Sequence, residues 1–147
     1  MPVQEKRNDC LFCRIIKKEI PSYTIYEDGE IIAFLDISPV NNGHTLILPK
    51  KHVENILEMD DETISSVFIK VRDISKAVMK SMNADGFNIE INNYKAAGQL
   101  VDHAHIHIVP RFDSDGLRHW PGKKLAEQEM REIAEKIKNC LKSRNPS

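Results

Sequence analysis

Apolar and polar residues alternate along five short segments of the chain, and this alternation predicts β-strands. The dipeptide Asp28-Gly29 separates the first two segments and readily adopts the positive φ angles of a tight hairpin turn. Because most connections between the segments are short, an antiparallel sheet is favoured. The five predicted strands cover residues 23–27, 30–36, 44–48, 87–92 and 103–109.

Apolar residues at helical spacing mark three further segments, at 10–18, 61–82 and 125–141, and a shorter helix is predicted within 51–58. Asp60 and Asp61 begin the longest helix, where a carboxylate accepts hydrogen bonds from free backbone N–H groups. On the last helix one apolar stripe is expected to pack in the core; it comprises Met130, Ile133, Ile137 and Cys140.

These elements predict an α+β fold, in which an antiparallel sheet of about five strands carries flanking helices. We expect one domain over residues 10–142. The polar ends, residues 1–9 and 143–147, are predicted to be flexible tails.

Composition excludes several classes of protein. The 147 residues include 21 Lys and Arg against 22 Asp and Glu, so no overall field favours a nucleic acid or an acidic membrane as partner. No apolar run reaches the roughly 20 residues that span a bilayer. Three cysteines are too few, and odd in number, for a secreted disulfide scaffold. We expect a soluble, cytoplasmic protein; at this size the sequence does not distinguish the cytoplasm from the nucleus.

The most informative segment is a run in which His103, His105 and His107 alternate with apolar residues. On a strand the three imidazoles would share one face. Polar rings there need hydrogen bonds, a metal or a substrate, since an unsatisfied buried nitrogen costs about 1–3 kcal/mol. A neutral imidazole can attack phosphorus and form a reactive phosphorus–nitrogen bond. Three histidines can instead hold a catalytic zinc, or they can simply form hydrogen bonds within the fold or face water. The alternation alone does not decide between these interpretations.

The segment 98–111 resembles the signature of the histidine triad (HIT) superfamily, three histidines separated by apolar residues. Segments 10–16, 33–39 and 43–52 resemble other parts of the family pattern and occur in the same order. The resemblance covers residues 9–112 and is strongest to the Hint branch. It implies a HIT-like fold, a homodimer and no organic cofactor.

The resemblance also implies a nucleotide-binding hydrolase or transferase acting at the α-phosphorus, with His105 as nucleophile. His107 would contact the phosphate or leaving group, His103 would support the triad, and His44 would complete the polar cluster. The implied nucleotide contacts are Asp36 to the ribose hydroxyls, Ile37 with Phe12 or Ile16 to the base, and Asn92, Gly98 and Gln99 to the phosphate and ribose.

Cys10 and Cys13 have the two-residue gap that lets two thiolates share one tetrahedral ion. In zinc-containing relatives with this pair, the remaining ligands resemble His52 and His103. The resemblance therefore implies a closed structural zinc that ties the N-terminal helix to the sheet, while His105 stays free of metal.

The expected activity is hydrolysis of a nucleoside 5′-phosphoramidate, with adenosine favoured, through a nucleotidyl-His105 intermediate. A dinucleoside polyphosphate hydrolase and a catalytically slow nucleotide sensor or scaffold remain as alternatives. Leu100 departs from the family, where many relatives carry Ser or Thr, and removes a hydroxyl from the phosphate side. Trp120 resembles the aromatic residue with which Hint proteins form a substrate pocket, sometimes across a dimer.

Overall fold

The computed structural model describes residues 8–143 and divides into two units, Met1–Asp115 and Gly116–Ser147, each of which is treated by itself. The single domain over 10–142 stays a prediction. The predicted tails lie outside the described residues except at residues 8–9 and 143, which are helical. Within residues 8–143, no helix has both the length and the apolar composition needed to cross a bilayer.

The first unit is built on an antiparallel sheet with the strand order β1-β2-β3-β5-β4. This arrangement confirms the predicted α+β fold with five strands. Among the described residues β4 pairs only with β5, so it forms one edge of this sheet. The strands are β1 Thr24–Glu27, β2 Ile31–Leu35, β3 Thr45–Pro49, β4 Gly86–Ile91 and β5 Ile106–Arg111.

The first unit includes the helices α1, over Leu11–Ile16, and α2, over Asp61–Met82. Asp60 caps α2, where its Oδ1 accepts a hydrogen bond of 2.8 Å from the backbone N–H of Thr63. The short helix predicted within 51–58 is reduced to a 3₁₀ turn at Ile56–Glu58.

The two helices cover opposite faces of the sheet, because side chains alternate along each strand. On the α2 face, Ile47 and Ile106 pack with Val67 and Val71 of the helix. On the α1 face, Phe34 and Leu46 pack instead with Phe12, Cys13 and Ile15. The register pairs Leu46 with His107, so the side chain of His107 lies on the α1 face.

The fifth strand begins at Ile106, three residues later than predicted. Its pairing with β3 ends at Ile47 and Ile106. Beyond that point the ring Nε2–H of His103 donates to the carbonyl oxygen of Pro49 at 2.7 Å. The side chain of His103 thus occupies the acceptor that a backbone N–H would use if β5 continued beside β3. His103 and His105 therefore lie in the segment that leads into the strand.

The second unit contains α3, over Glu127–Ser143, close to the predicted helix. The prediction that Cys140 packs in the core was wrong, because every residue of α3 is exposed. Its apolar stripe is exposed as well, with Ile133 at 43% and Ile137 at 57% of full accessibility.

Candidate functional site

The first part of the site is a pair of histidines, His44 next to β3 and His107 on the neighbouring strand β5. His44 immediately precedes β3 and its Nδ1 accepts a hydrogen bond of 3.1 Å from the backbone N–H of Val40. In neutral His44 the hydrogen therefore sits on Nε2, which lies 2.9 Å from Nδ1 of His107. His44 donates and His107 accepts, and this assigns the remaining hydrogen of His107 to its Nε2. The pair presents an N–H donor on the α1 face of the sheet.

His105 is oriented by its own neighbour. Its Nδ1 lies 2.7 Å from the carbonyl oxygen of His103, which can only accept, so Nδ1 carries the hydrogen. Nε2 of His105 then holds an unshared electron pair. The ring packs edge-on against Phe12, with centroids 4.9 Å apart, and its centroid lies 5.0 Å from that of His107. A nucleophilic nitrogen and an N–H donor thus stand side by side.

Burial lowers the pKa of all three of these histidines below the ordinary value of 6.5. For His105 the desolvation outweighs the opposing effect of the bond to His103 and the nearby charge of Asp36. For His107 it is reinforced by the neighbouring His44. The rings are therefore neutral near pH 7, which is the form in which an imidazole acts as nucleophile.

Two carboxylates lie around the histidine cluster. Asp36 accepts a hydrogen bond of 2.8 Å from the backbone N–H of Ser38 through Oδ1, and its Oδ2 lies 3.7 Å from Nε2 of His44. Glu90 on β4 is paired with His107 on β5, so the two side chains share a face. The sequence analysis overlooked Glu90. It could have been found by pairing the fourth and fifth predicted strands.

The loop after β4 brings together the residues predicted for the phosphate side. Gly98 has a φ angle of 90°, which favours glycine, and the position that a Cβ would occupy lies 3.9 Å from Nδ2 of Asn92. Gln99 is buried, and its amide bonds backbone groups of Tyr94, Glu54 and Val101. The side chain of Gln99 thus fixes the loop from inside the fold.

The residues predicted for the base side differ in exposure. Ile37 is 84% exposed beside Asp36, whereas Phe12 is only 5% exposed and packs against His105. Ile16 is partly buried at the edge of the α1-face cluster. Trp120 belongs to the second unit and is 84% exposed.

A second cluster contains the four predicted metal ligands, Cys10, Cys13, His52 and His103, whose donor atoms lie within 4.8 Å of one another. Nδ1 of His103 lies 3.5 Å from the Sγ atoms of both cysteines, and Nδ1 of His52 lies 3.2 Å from Sγ of Cys13. Cys10 also caps α1, where its Sγ accepts from the backbone N–H of Cys13 at 3.4 Å.

This donor set fits a tetrahedral zinc. With Zn–S near 2.3 Å and Zn–N near 2.05 Å, tetrahedral angles place a sulfur and a nitrogen about 3.5 Å apart, as found here. The bond from Nε2–H of His103 to the carbonyl oxygen of Pro49 leaves the lone pair of Nδ1 facing the thiols. Burial, the largest cause, lowers the pKa of His103 to about 4, so the ring is neutral and able to ligate.

The alternative of one zinc held by all three triad histidines does not match the geometry. Among residues 8–143, the donor groups close enough to share an ion are the Cys/His cluster and the set Asp36, His44 and His107. Each contains one triad histidine, and His105 belongs to neither.

Comparison with known proteins agrees with this geometry. The HIT domain family matches residues 17–114. An uncharacterized HIT-like protein of Methanocaldococcus jannaschii is 50% identical over 107 residues, which cover 73% of this chain and 82% of that protein. An adenylylsulfatase of Arabidopsis thaliana is 37% identical, covering 92% and 69%, and the adenosine 5′-monophosphoramidase hnt1 of Schizosaccharomyces pombe is 34% identical, covering 90% and 98%.

Solved structures share the fold. A HIT family protein from Bacillus subtilis has a TM-score of 0.84 at 38% identity, covering 95% of this chain and 99% of the other. A Zn-bound histidine triad family protein from Mycobacterium smegmatis has a TM-score of 0.72 at 34% identity, covering 91% and 99%. With the triad, the sheet and the family match in agreement, this chain belongs to the HIT family.

Proposed function

We propose that the protein hydrolyses nucleoside 5′-phosphoramidates, with adenosine favoured, through a covalent nucleotidyl-His105 intermediate. The observation that carries this proposal is the bond from Nδ1 of His105 to the carbonyl oxygen of His103, which leaves Nε2 as a fixed, neutral nucleophile. A relative named as an adenosine 5′-monophosphoramidase supports the choice of substrate.

In the first step Nε2 of His105 attacks the α-phosphorus, a phosphorus–nitrogen bond forms, and the bond to the leaving amine breaks as the amine gains a proton. The ring becomes positively charged, and the carbonyl oxygen of His103 stabilises that charge through the Nδ1–H bond. Nε2–H of His107 supplies a donor for a phosphoryl oxygen or the leaving nitrogen. In the second step water attacks phosphorus, the phosphorus–nitrogen bond to His105 breaks, and the nucleoside monophosphate leaves with His105 neutral again. The proton that water loses replaces the one taken up by the amine in the first step.

Asp36 would bind the ribose hydroxyls, since its Oδ2 has an open acceptor position beside the histidines. Ile37 would pack on the base from its exposed position. The side-chain amide of Asn92, beside Gly98, would donate to the phosphate and partly replace the hydroxyl that Leu100 cannot provide.

A dinucleoside polyphosphate hydrolase would use the same nucleophile but release a highly anionic leaving group. Two carboxylates, Asp36 and Glu90, lie close enough to His44 and His107 to oppose the lowering of their pKa values by burial. A polyphosphate leaving group would be repelled by these carboxylates, and this favours the amine.

We also propose that Cys10, Cys13, His52 and His103 hold one zinc ion in a closed, four-ligand site. When bound, the ion supplies structural stability, because four protein ligands leave no open position for a substrate. The chain itself orients His103, whose carbonyl oxygen in turn orients the nucleophile.

A homodimer is proposed from the free edge of the sheet. On β4, Phe87 and Ile89 are 41% and 46% exposed and line an apolar groove of about 630 Å³ together with residues of α2. An exposed edge strand beside an apolar groove is a ready surface for a second copy. Light scattering should show a dimer that Ile89→Glu dissociates, while Ile69→Glu, a matched exposed change on α2, leaves it intact.

Intact-protein mass spectrometry tests the activity. Brief incubation with an adenosine phosphoramidate and acid-free quenching should give an adduct of one nucleoside monophosphate on the wild type and none on His105→Asn. Repeating the experiment with a dinucleoside tetraphosphate ranks the two substrates. Absence of adduct and of product with both substrates, despite AMP binding, would favour the sensor function.

A further inference from the structure

Glu90 is a carboxylate on the catalytic face that takes no part in the two chemical steps described above. It is the direct partner of His107 in the pairing of β4 with β5, and directly paired residues of antiparallel strands project to the same side. Its neighbour Ile89 projects to the opposite, α2 side, where it lines the apolar groove. In the single chain Glu90 is exposed, and its pairing with His107 places it beside the histidine cluster.

Within residues 8–143, no side chain pairs with the charge of Glu90. Among the described residues, Glu90 forms no ion pair and no side-chain hydrogen bond, in contrast to Glu27, which lies 2.7 Å from Nζ of Lys18 and 2.9 Å from Nζ of Lys50. An uncompensated carboxylate beside a binding site favours a cationic group in the ligand.

The position of Glu90 relative to the histidines indicates which part of a substrate it faces. Burial lowers the pKa values of His44 and His107, and the charges of both Asp36 and Glu90 oppose that effect. The strand register places Glu90 directly beside His107, whose Nε2–H is the donor proposed above for the leaving nitrogen.

We propose that Glu90 sets specificity for the leaving group, favouring amines that carry a second, positively charged group and disfavouring anionic ones. This inference rests on the proposed phosphoramidate hydrolysis. Unit charges about 8 Å apart across a partly hydrated site interact strongly enough to change a rate constant about fivefold per charge.

The test uses three adenosine 5′-phosphoramidates of equal length, formed with 1,3-diaminopropane, n-propylamine and β-alanine, whose distal ends are cationic, neutral and anionic. The wild type should show a larger kcat/KM for the cationic than for the anionic substrate. Glu90→Gln, which keeps the shape and removes the charge, should lower that ratio about 20-fold. The matched control Glu62→Gln, an exposed carboxylate on α2, should leave the ratio as in the wild type.

Salt gives a second readout, because 1 M salt shortens the Debye length to about 3 Å. At this salt concentration, wild type and Glu90→Gln should differ severalfold less in the ratio of kcat/KM for the cationic to the anionic substrate. An unchanged ratio in Glu90→Gln, or an equal change in Glu62→Gln, would overturn the role of Glu90 and leave the proposed function intact. If the wild type released no amine even from the neutral substrate, the proposed function and this inference would fail together.

Discussion

The side chain of His105 donates its Nδ1 hydrogen to the backbone carbonyl oxygen of His103 across 2.7 Å. The ring of His103 meanwhile faces the thiols of Cys10 and Cys13 and donates its own Nε2 hydrogen to Pro49. His103 therefore belongs to both clusters. Its ring lies in the Cys/His cluster, and its carbonyl oxygen orients His105 in the catalytic cluster. Any disturbance of the Cys/His cluster is expected to reach the nucleophile through this peptide.

Replacing His105 by Asn should abolish turnover, because the variant lacks the nitrogen that attacks phosphorus. The affinity for AMP should stay within about tenfold of wild type, or about 1.4 kcal/mol, since the nucleoside contacts lie elsewhere. Steady-state kinetics and calorimetric titration with AMP measure the two effects separately. Turnover retained by the variant would remove His105 from the nucleophile's role.

Much of the fold could be predicted from the sequence because the apolar alternation is strong in the strands. Ile106 and Ile108 are fully buried on the α2 face and His107 points the other way, as the alternation requires. The start of the fifth strand could not be predicted, because the bond from the ring of His103 to Pro49 depends on tertiary structure.

The site was predictable where residue chemistry is specific, and less so elsewhere. The family resemblance, more than the spacing of the two cysteines, placed Cys13 beside His52, and their Sγ and Nδ1 atoms lie 3.2 Å apart. Gln99 illustrates the limit, because nothing local in the sequence indicates that its amide would bond three backbone groups. Cys140 illustrates a second limit. An apolar stripe predicts a helix, but it does not show whether other residues cover that stripe.

The pH dependence of kcat/KM should report the lowered pKa of His105. Only the neutral ring is nucleophilic, and burial makes protonation harder, so the activity should be nearly constant around pH 7 and fall with decreasing pH only below the ordinary value of 6.5. A pH-rate profile, with circular dichroism at each pH as control for folding, measures this. An acidic midpoint above 6.5 would contradict the assignment.

Replacing Cys10 by Ser should eliminate bound zinc and lower the thermal midpoint, because a metal ligand is lost while the Ser hydroxyl can still cap α1. We expect a decrease of about 5–10 °C, corresponding to roughly 2 kcal/mol. Elemental analysis and differential scanning calorimetry measure the two quantities, and Cys140→Ser on the exposed helix is the matched control. Chelated wild-type protein with undiminished stability would contradict a structural zinc.

Gly43, directly before His44, is held in a conformation that other residues adopt at a cost. Its φ angle is 91°, and a Cβ there would lie 2.6 Å from Cγ and 2.9 Å from Sδ of Met82. Gly43→Ala should therefore reduce the free energy of unfolding by about 1–3 kcal/mol, measured by urea denaturation. Because β3 and His44 follow immediately, kcat should fall as well.

Gly29→Ala is the matched control, since a Cβ at Gly29 meets no atom within 4 Å and should change stability by less than about 1 kcal/mol. Equal losses at the two glycines would show that the left-handed conformation and the contact with Met82 do not decide the stability at Gly43.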